Sequence, residues 1–292
     1  DSAAAADLSI FQAALASGDA ADGRRVVEAL EQLKLPDEAA MGARELASWR
    51  ENKKTIVNSL KTLSSQIYSA TARIVFELIQ NADDCTFADD GRLRELHLEC
   101  DEDALVAFHN EKGFQPKDLY AMCQVGESSK QAGSGKIGRK GIGFKSTFQI
   151  TDCPLIVSPP FSFCFDTAAR GIFGYIVPSW VEQPEQHVPS RHHSLLRRTR
   201  PDDGGGGTLL VCPFASRVRG TDLLRDFEFD GLSLAFLKNL EKISFVSHAA
   251  ADGGGSASTT QEYRVERSVV FEHGAGDEGG FGGSMLKGIH IV

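Results

Sequence analysis

Nowhere does the 292-residue chain hold an apolar run approaching the roughly 20 residues with which a helix spans a bilayer, so no membrane partner is expected. Paired cysteines are missing too. None of the six cysteines, at 85, 100, 123, 153, 164 and 212, stands in C-x-x-C spacing, which argues against a zinc knuckle and against a dithiol redox motif. Cys164 and Cys212 sit inside apolar runs, which reads as buried, reduced thiols in a cytosolic or nuclear protein. Positive charge is in deficit: 31 Lys and Arg face 40 Asp and Glu, for a formal net charge of −9. Such a surface repels a phosphate backbone over a Debye length and argues against a broad nucleic-acid partner. One basic patch remains, from Arg191 to Arg200, and it is read as a solvated loop. The alanines at 3–6 follow no basic segment and do not read as a signal peptide. Asp1, rather than Met, in first position leads to the expectation of a piece of a longer chain. No internal repeat is found.

What is present is ordinary globular composition, 41% apolar and 24% charged, in a length that suits one large domain or two small ones. Apolar spacing predicts helix over 7–35, ended by Pro36, again over 42–61, and from Ser65 to Asp84, where Ile67, Ala70, Ile74, Leu78 and Ile79 form a stripe. The runs 93–99 and 104–109 flank a short polar turn and read as a hairpin. A short helix with Pro at its first turn is expected over 116–124, and helix again over 142–150. Further strands are expected at 155–158, 161–166, 171–177 and 208–213, an amphipathic helix at 232–243, and β-like runs at 262–272 and 285–292. The polar, glycine-ended stretch 183–207 and the Gly/Ser/Ala-rich stretch 249–260 read as flexible insertions. Helices first, then sequential strands with few crossover helices, favour an α+β two-layer sandwich with an N-terminal helical segment over a doubly wound parallel sheet.

Four short segments carry chemistry. In the string running from Phe76 to Asp84, residues Glu77, Asn81 and Asp84 fall at i, i+4 and i+7 and share one polar helix face. A carboxylate one turn from an amide sets a general base beside a ligand for a hard cation. The segment 133–146 packs five glycines into eleven positions, 133–143, among Lys136, Arg139, Lys140 and Lys145. Converging amides that run into a helix N-terminus make an anion site. No Gly-Lys-Ser/Thr triplet closes that segment, and its Gly138-x-x-Gly141-x-Gly143 order is not the dinucleotide fingerprint. His109, Asn110, Glu111 and Gly113 lie at a strand end, and Gly207-Thr208 opens another strand.

In this order the segments resemble the GHKL superfamily, which joins DNA gyrase, the ninety-kilodalton heat-shock chaperones, histidine kinases and the MutL proteins. Glu77-x-x-x-Asn81-Ala82-x-Asp84 is similar to its first motif, and Gly138-x-x-Gly141-x-Gly143-Phe144-x-Ser146 to its lid motif. The strings at 77–84, 110–114, 126–130, 140–148 and 234–243 more closely resemble the sacsin and NO VEIN branch, over roughly residues 45–245. The resemblance implies a Bergerat-type ATP-binding fold over 45–248; the residue pattern outside it is read as a helical segment at 1–44 and a flexible linker and β-rich tail at 249–292, expected as the start of a further domain. It implies ATP and Mg2+ as ligands. Glu77 would activate water, Asn81 would bind magnesium, and Asp84 would line the pocket near ribose or adenine. Gly113 would let the backbone approach the base, and Lys130 would contact phosphate. The amides of Gly138, Gly141, Ile142, Gly143 and Phe144 would wrap the triphosphate, and Thr208 would reach adenine. The superfamily usually has Asp where this chain has His109, and Gly where it has Glu111. An unprotonated imidazole nitrogen, or the carbonyl oxygen of Asn110, would then accept from the adenine amino group.

The implied activity is slow, magnesium-dependent ATP hydrolysis coupled to lid closure, acting as a switch toward an unknown protein client or neighbouring domains, with an ATP-dependent dimer in prospect. The alternative is a module that binds nucleotide, or only keeps the fold, and serves as an interaction scaffold. A histidine kinase is disfavoured, because the first histidine is His97 and no acceptor-histidine helix precedes the motifs.

Overall fold

The run from Ala104 to His109 is apolar at nearly every position, and such a strand must be covered on both faces. In a computed structural model of the chain it lies in the middle of a nine-stranded sheet, with five of its six residues buried. The structure describes residues 9, 12–13, 23–67, 73–124, 142–200, 206–220, 223, 237–250, 256–272 and 284–291.

The helices are α1 (Gly23–Lys34), α2 (Ala43–Ile67), α3 (Arg73–Asp83), α4 (Pro116–Met122), α5 (Ile142–Lys145), α6 (Thr167–Arg170) and α7 (His193–Arg198). The strands are β1 (Glu95–Cys100), β2 (Ala104–His109), β3 (Leu155–Ser158), β4 (Phe161–Phe165), β5 (Pro178–Trp180), β6 (Thr208–Pro213), β7 (Lys242–Ala250), β8 (Ser256–Glu272) and β9 (Ser284–Ile291). Their order across the sheet is β5-β4-β3-β6-β2-β1-β7-β8-β9. Among the described strands, only the β1–β7 pairing is parallel. The fold is therefore α+β, with a mixed sheet and helices leading the chain. No helix among the described residues is long and apolar enough to cross a membrane.

One face of the sheet carries α3. Ile74, Val75, Leu78, Ile79 and Ala82 of α3 pack there with Leu105 and Ala107 of β2 and with Leu96 and Leu98 of β1. The alternation along β1 is the simple period of two, whereas β2 also sends Ala104, Val106 and Phe108 into a second core on the opposite face. Val188, Leu195 and Leu196 cover that second core.

Those three covering residues correct the reading of 183–207 as a flexible insertion. Of its described residues, 183–200 form a succession of short 3-10 turns and α7 packed onto the sheet, adding a partial third layer. The sparse apolar residues of the stretch are the ones that bury, and too few of them recur to give a periodic signal. The described residues of 249–260, read as a flexible insertion, are the end of β7 and the start of β8, paired with each other up to Ala250 with Ser256. Two further expectations are revised. Residues 171–177 were expected as strand, but 171–175 form a 3-10 turn, and the strand begins at Pro178. Ile176 and Val177 both donate to the Phe173 carbonyl, so local bonds replace a ladder, and Tyr175 packs against Phe148 at 4.6 Å between ring centres. The helix expected over 232–243 is absent in its described part, and Lys242 opens β7. Leu237, Leu240 and Ile243 recur every third residue and so imitate a helix face, yet they bury as a turn leading into an extended strand.

Candidate ligand site

Helix α3 ends in a tight turn, after which Phe87 forms an isolated bridge with Glu111 and Lys112 donates to the Thr86 carbonyl at 2.9 Å. That pairing folds the end of α3 against the end of β2. Between them, below α5, lies a cavity of about 100 Å3 lined largely by apolar side chains, including Leu78, Leu96, Met122 and Phe144. Its polar lining groups are Asn81, Cys85, His109, Asp118 and Thr208. A space of this size takes one flat ring system rather than a whole drug-sized ligand, for which pockets of about 300–1,000 Å3 are usual.

A directed hydrogen-bond chain closes one wall. The Phe114 amide donates to Ser158 Oγ at 2.8 Å, the Ser158 and Thr208 hydroxyls lie 2.7 Å apart, and Thr208 Oγ1 is 2.7 Å from Glu111 Oε1. Because Ser158 Oγ already accepts, a consistent arrangement has its hydroxyl donating to Thr208, whose own proton goes to the Glu111 carboxylate. Ser158, Thr208 and Glu111 are all buried. Gly207, just before Thr208, has φ +135, and a Cβ there would stand 2.3 Å from the His109 carbonyl oxygen, so only glycine lets the start of β6 approach the end of β2 this closely.

The residues expected at the site fall into groups. Asn81, His109, Phe144 and Thr208 meet at the cavity. Glu77 and Asp84 are half-buried on and just beyond α3. Gly113 adopts φ +91, with Ser158 Oγ 3.5 Å from where a Cβ would be. Ile142 and Gly143 open α5, which packs on α3. Lys130, Gly138 and Gly141 lie outside the described residues. Asn110 is turned elsewhere: its Oδ1 accepts from the Glu95 amide at 2.8 Å and its Nδ2 donates to the Leu93 carbonyl at 2.8 Å, pinning the start of β1. Its side chain borders an open depression of about 710 Å3 shared with Phe108, Arg197 and Arg198 of the second core's face.

Lys145 does not serve the basic loop in which its sequence places it. Its amine is buried, donates to the Met122 and Tyr175 carbonyls, and lies 4.8 Å from the Phe165 ring centre. Burial pushes its pKa down to about 7. Asp83 was also hidden by its neighbours in the motif. Its carboxylate accepts at 2.8 Å from the amides of Lys238, Asn239 and Leu240, anchoring the turn ahead of β7. Cys85 and Ser158 join the site without a sequence signal of their own, and Glu111, marked in the sequence only as a departure from the family pattern, joins it through Thr208; only the folded chain brings them together.

On the other face, the basic patch 191–200 is not simply solvated. Arg198 pairs with Glu95 and stacks 4.2 Å from the Phe108 ring centre, while Arg191 lies 3.2 Å from Asp101. His192 is wholly buried, with Nδ1 2.5 Å from Glu99 and Nε2 3.1 Å from Asp101. Burial alone would push His192 down, but the hydrogen bonds with Asp101 and Glu99 outweigh it and raise the pKa to about 9. Burial would likewise push both carboxyls up, and His192 instead helps hold Glu99 and Asp101 down at about 2.

Fold and cavity together define an α+β domain with a small, apolar-lined, polar-edged site between the end of a helix and the sheet. Residues 53–172 match the family model described as Sacsin domain. Over 171 residues the chain is 35% identical to Protein NO VEIN of Arabidopsis thaliana, covering 58% of this chain and 6% of that protein. Over 123 residues it is 37% identical to Sacsin of Homo sapiens, covering 37% of this chain and 3% of that protein. These matches support a sacsin-type domain; the chain spans only a small fraction of either relative's length. The stretch 53–172 contains all the expected site residues except Thr208.

Proposed function

We propose that this site binds a purine nucleotide, ATP with Mg2+, and hydrolyses it slowly as a conformational switch within a longer protein. The observation that carries the reading is the meeting of Asn81, His109, Phe144 and Thr208, distant in sequence, around one ring-sized cavity. The base would enter between the apolar walls. His109, at the cavity edge, offers an imidazole nitrogen to the exocyclic amino group, and the buried Glu111 carboxylate lies 3.7 Å from His109 Nδ1. Glu77 lies about one turn before Asn81 on α3, and α5, the continuation of the glycine-rich segment, packs on the same helix. Ribose would lie near Asp84, and the phosphates near Lys130 and the amides from Gly138 to Phe144. Asn81 is half-buried at the cavity and offers an amide oxygen suited to a hard cation. Magnesium, when bound, neutralises phosphate charge. Glu77 would orient and deprotonate the attacking water. Closure over the nucleotide would then alter contacts with neighbouring domains, a client or a second copy.

A second reading, binding without turnover, has one observation in its favour: the Thr208 hydroxyl is already engaged by Glu111 and Ser158. Calorimetry with Mg-ATP should give a binding signal that Asn81→Ala weakens by about tenfold or more, about 1.4 kcal/mol. Absence of any ATP heat in the wild type sinks the nucleotide reading. Phosphate release that Glu77→Ala leaves unchanged sinks hydrolysis and favours the second reading.

A further inference from the structure

Three metal-ligating side chains of different chemistry converge on the wall of the cavity. Cys85 Sγ, one nitrogen of His109 and a carboxylate oxygen of Glu111 all lie within 4.8 Å of one another. His109 Nδ1 and Glu111 Oε1 are 3.7 Å apart. The arrangement is built by the fold. The Phe87–Glu111 bridge holds the chain after α3 against the end of β2, and it brings Cys85 across from a histidine and a carboxylate that alternate on one strand end. Thr208 Oγ1 fixes Glu111 at 2.7 Å through Oε1, the oxygen nearest His109 Nδ1.

We infer that Cys85, His109 and Glu111 form a binding site for a borderline divalent cation of the zinc type. Thiolate, imidazole and carboxylate are the donor set of zinc, and a hard cation such as magnesium would not select the sulfur. A tetrahedral ion with bonds of about 2.0–2.3 Å needs donors roughly 3.3–3.8 Å apart. The His109–Glu111 spacing already meets that. Rotation of the Cys85 side chain, away from the Asn81 carbonyl it donates to at 3.1 Å, supplies the rest. Three protein ligands leave a fourth position facing the cavity, the open arrangement that admits water or a ligand nitrogen or oxygen.

The burial of Glu111 points the same way. Its carboxylate is 6% exposed, and among the described residues it pairs with no lysine or arginine. A buried carboxylate needs compensating charge, which a protonated His109 or a bound cation could supply. These two arrangements make different predictions. A His109–Glu111 ion pair has no use for Cys85, whereas a metal deprotonates and shields the thiol.

The test uses the 292-residue chain freed of metal with a chelator, kept reduced without added thiol, and without nucleotide. Cobalt is titrated as a coloured substitute for zinc. One equivalent should bind with a thiolate-to-cobalt charge-transfer band, and zinc should bleach it. Cys85→Ser should abolish the band, Cys153→Ser should leave it, and His109→Ala should weaken zinc binding by about 100-fold. Should Cys85→Ser fail to fold by circular dichroism, the wild type suffices. Zinc should slow alkylation of Cys85, mapped by mass spectrometry, at least tenfold more than alkylation of Cys153 or Cys164. Cobalt binding without a sulfur band, a band that survives in folded Cys85→Ser, or alkylation of Cys85 that zinc does not slow overturns the inference. Because no nucleotide is present, failure here leaves the ATP reading standing, and failure of ATP to bind leaves this one standing.

Discussion

Asp83 ends α3 with a buried carboxylate that accepts from three consecutive backbone amides across the domain, at 238, 239 and 240. Adjacent Asp84 is half-buried and is the position proposed to face ligand. On the proposed function, the two neighbouring aspartates divide between architecture and ligand binding, and substitution tests that division. Asp83→Ala strands three amide donors and should lower the unfolding free energy by about 2–4 kcal/mol in denaturant titrations. Asp84→Ala should leave stability within about 1 kcal/mol and act on nucleotide affinity instead. Equal destabilisation by the two would refute this division. The motif places both acids on the helix, but only the folded chain distinguishes them, because the amides that Asp83 captures lie about 155 residues away in sequence.

At the scale of elements, the stretch 183–200 departs most from its reading. Polar and basic in sequence, it nevertheless packs Val188, Leu195 and Leu196 onto β2, β3 and β6. Leu195→Ala should therefore cost about 2–4 kcal/mol, as for a core leucine, where a solvated loop residue would cost under about 0.5. Thermal or urea unfolding decides between these values. The central hairpin was legible without tertiary information: the runs either side of the turn at 101–103 pair in register, from Leu96 with His109 to Cys100 with Leu105. Strand β7 was not legible. Its lead-in imitates a helical period, and the parallel partner that makes it a strand, β1, lies far back in the sequence.

The whole molecule responds to pH through the buried cluster that fastens the second-face layer to the sheet. His192 is raised from 6.5 to about 9, so its contribution is full below about pH 6.5 and is lost as pH rises through about 9. Glu99 and Asp101 are lowered from 4.5 and 3.8 to about 2, so theirs is full above about pH 4.5 and is lost as pH falls through about 2. The cluster therefore supports the fold best between about pH 4.5 and 6.5. The melting temperature of wild type should fall relative to His192→Gln as pH rises from 6.5 to 9. A gap between the two that does not change over that span would show that His192 is not charged in the folded chain.

Sequence by itself determined the α+β class, the leading helices and the β1–β2 hairpin, because local period and turn chemistry are properties of short segments, and motif resemblance singled out Asn81, His109, Phe144 and Thr208, which line one cavity. Tertiary structure decided what those segments could not encode. It turned Asn110 and Lys145 away from the expected ligand, one onto the backbone of β1 and the other into the core. It set Cys85 beside His109 and Glu111. Each outcome depends on which distant backbone groups and apolar faces come to lie opposite one another, and that is fixed only when the sheet closes against its two covering layers.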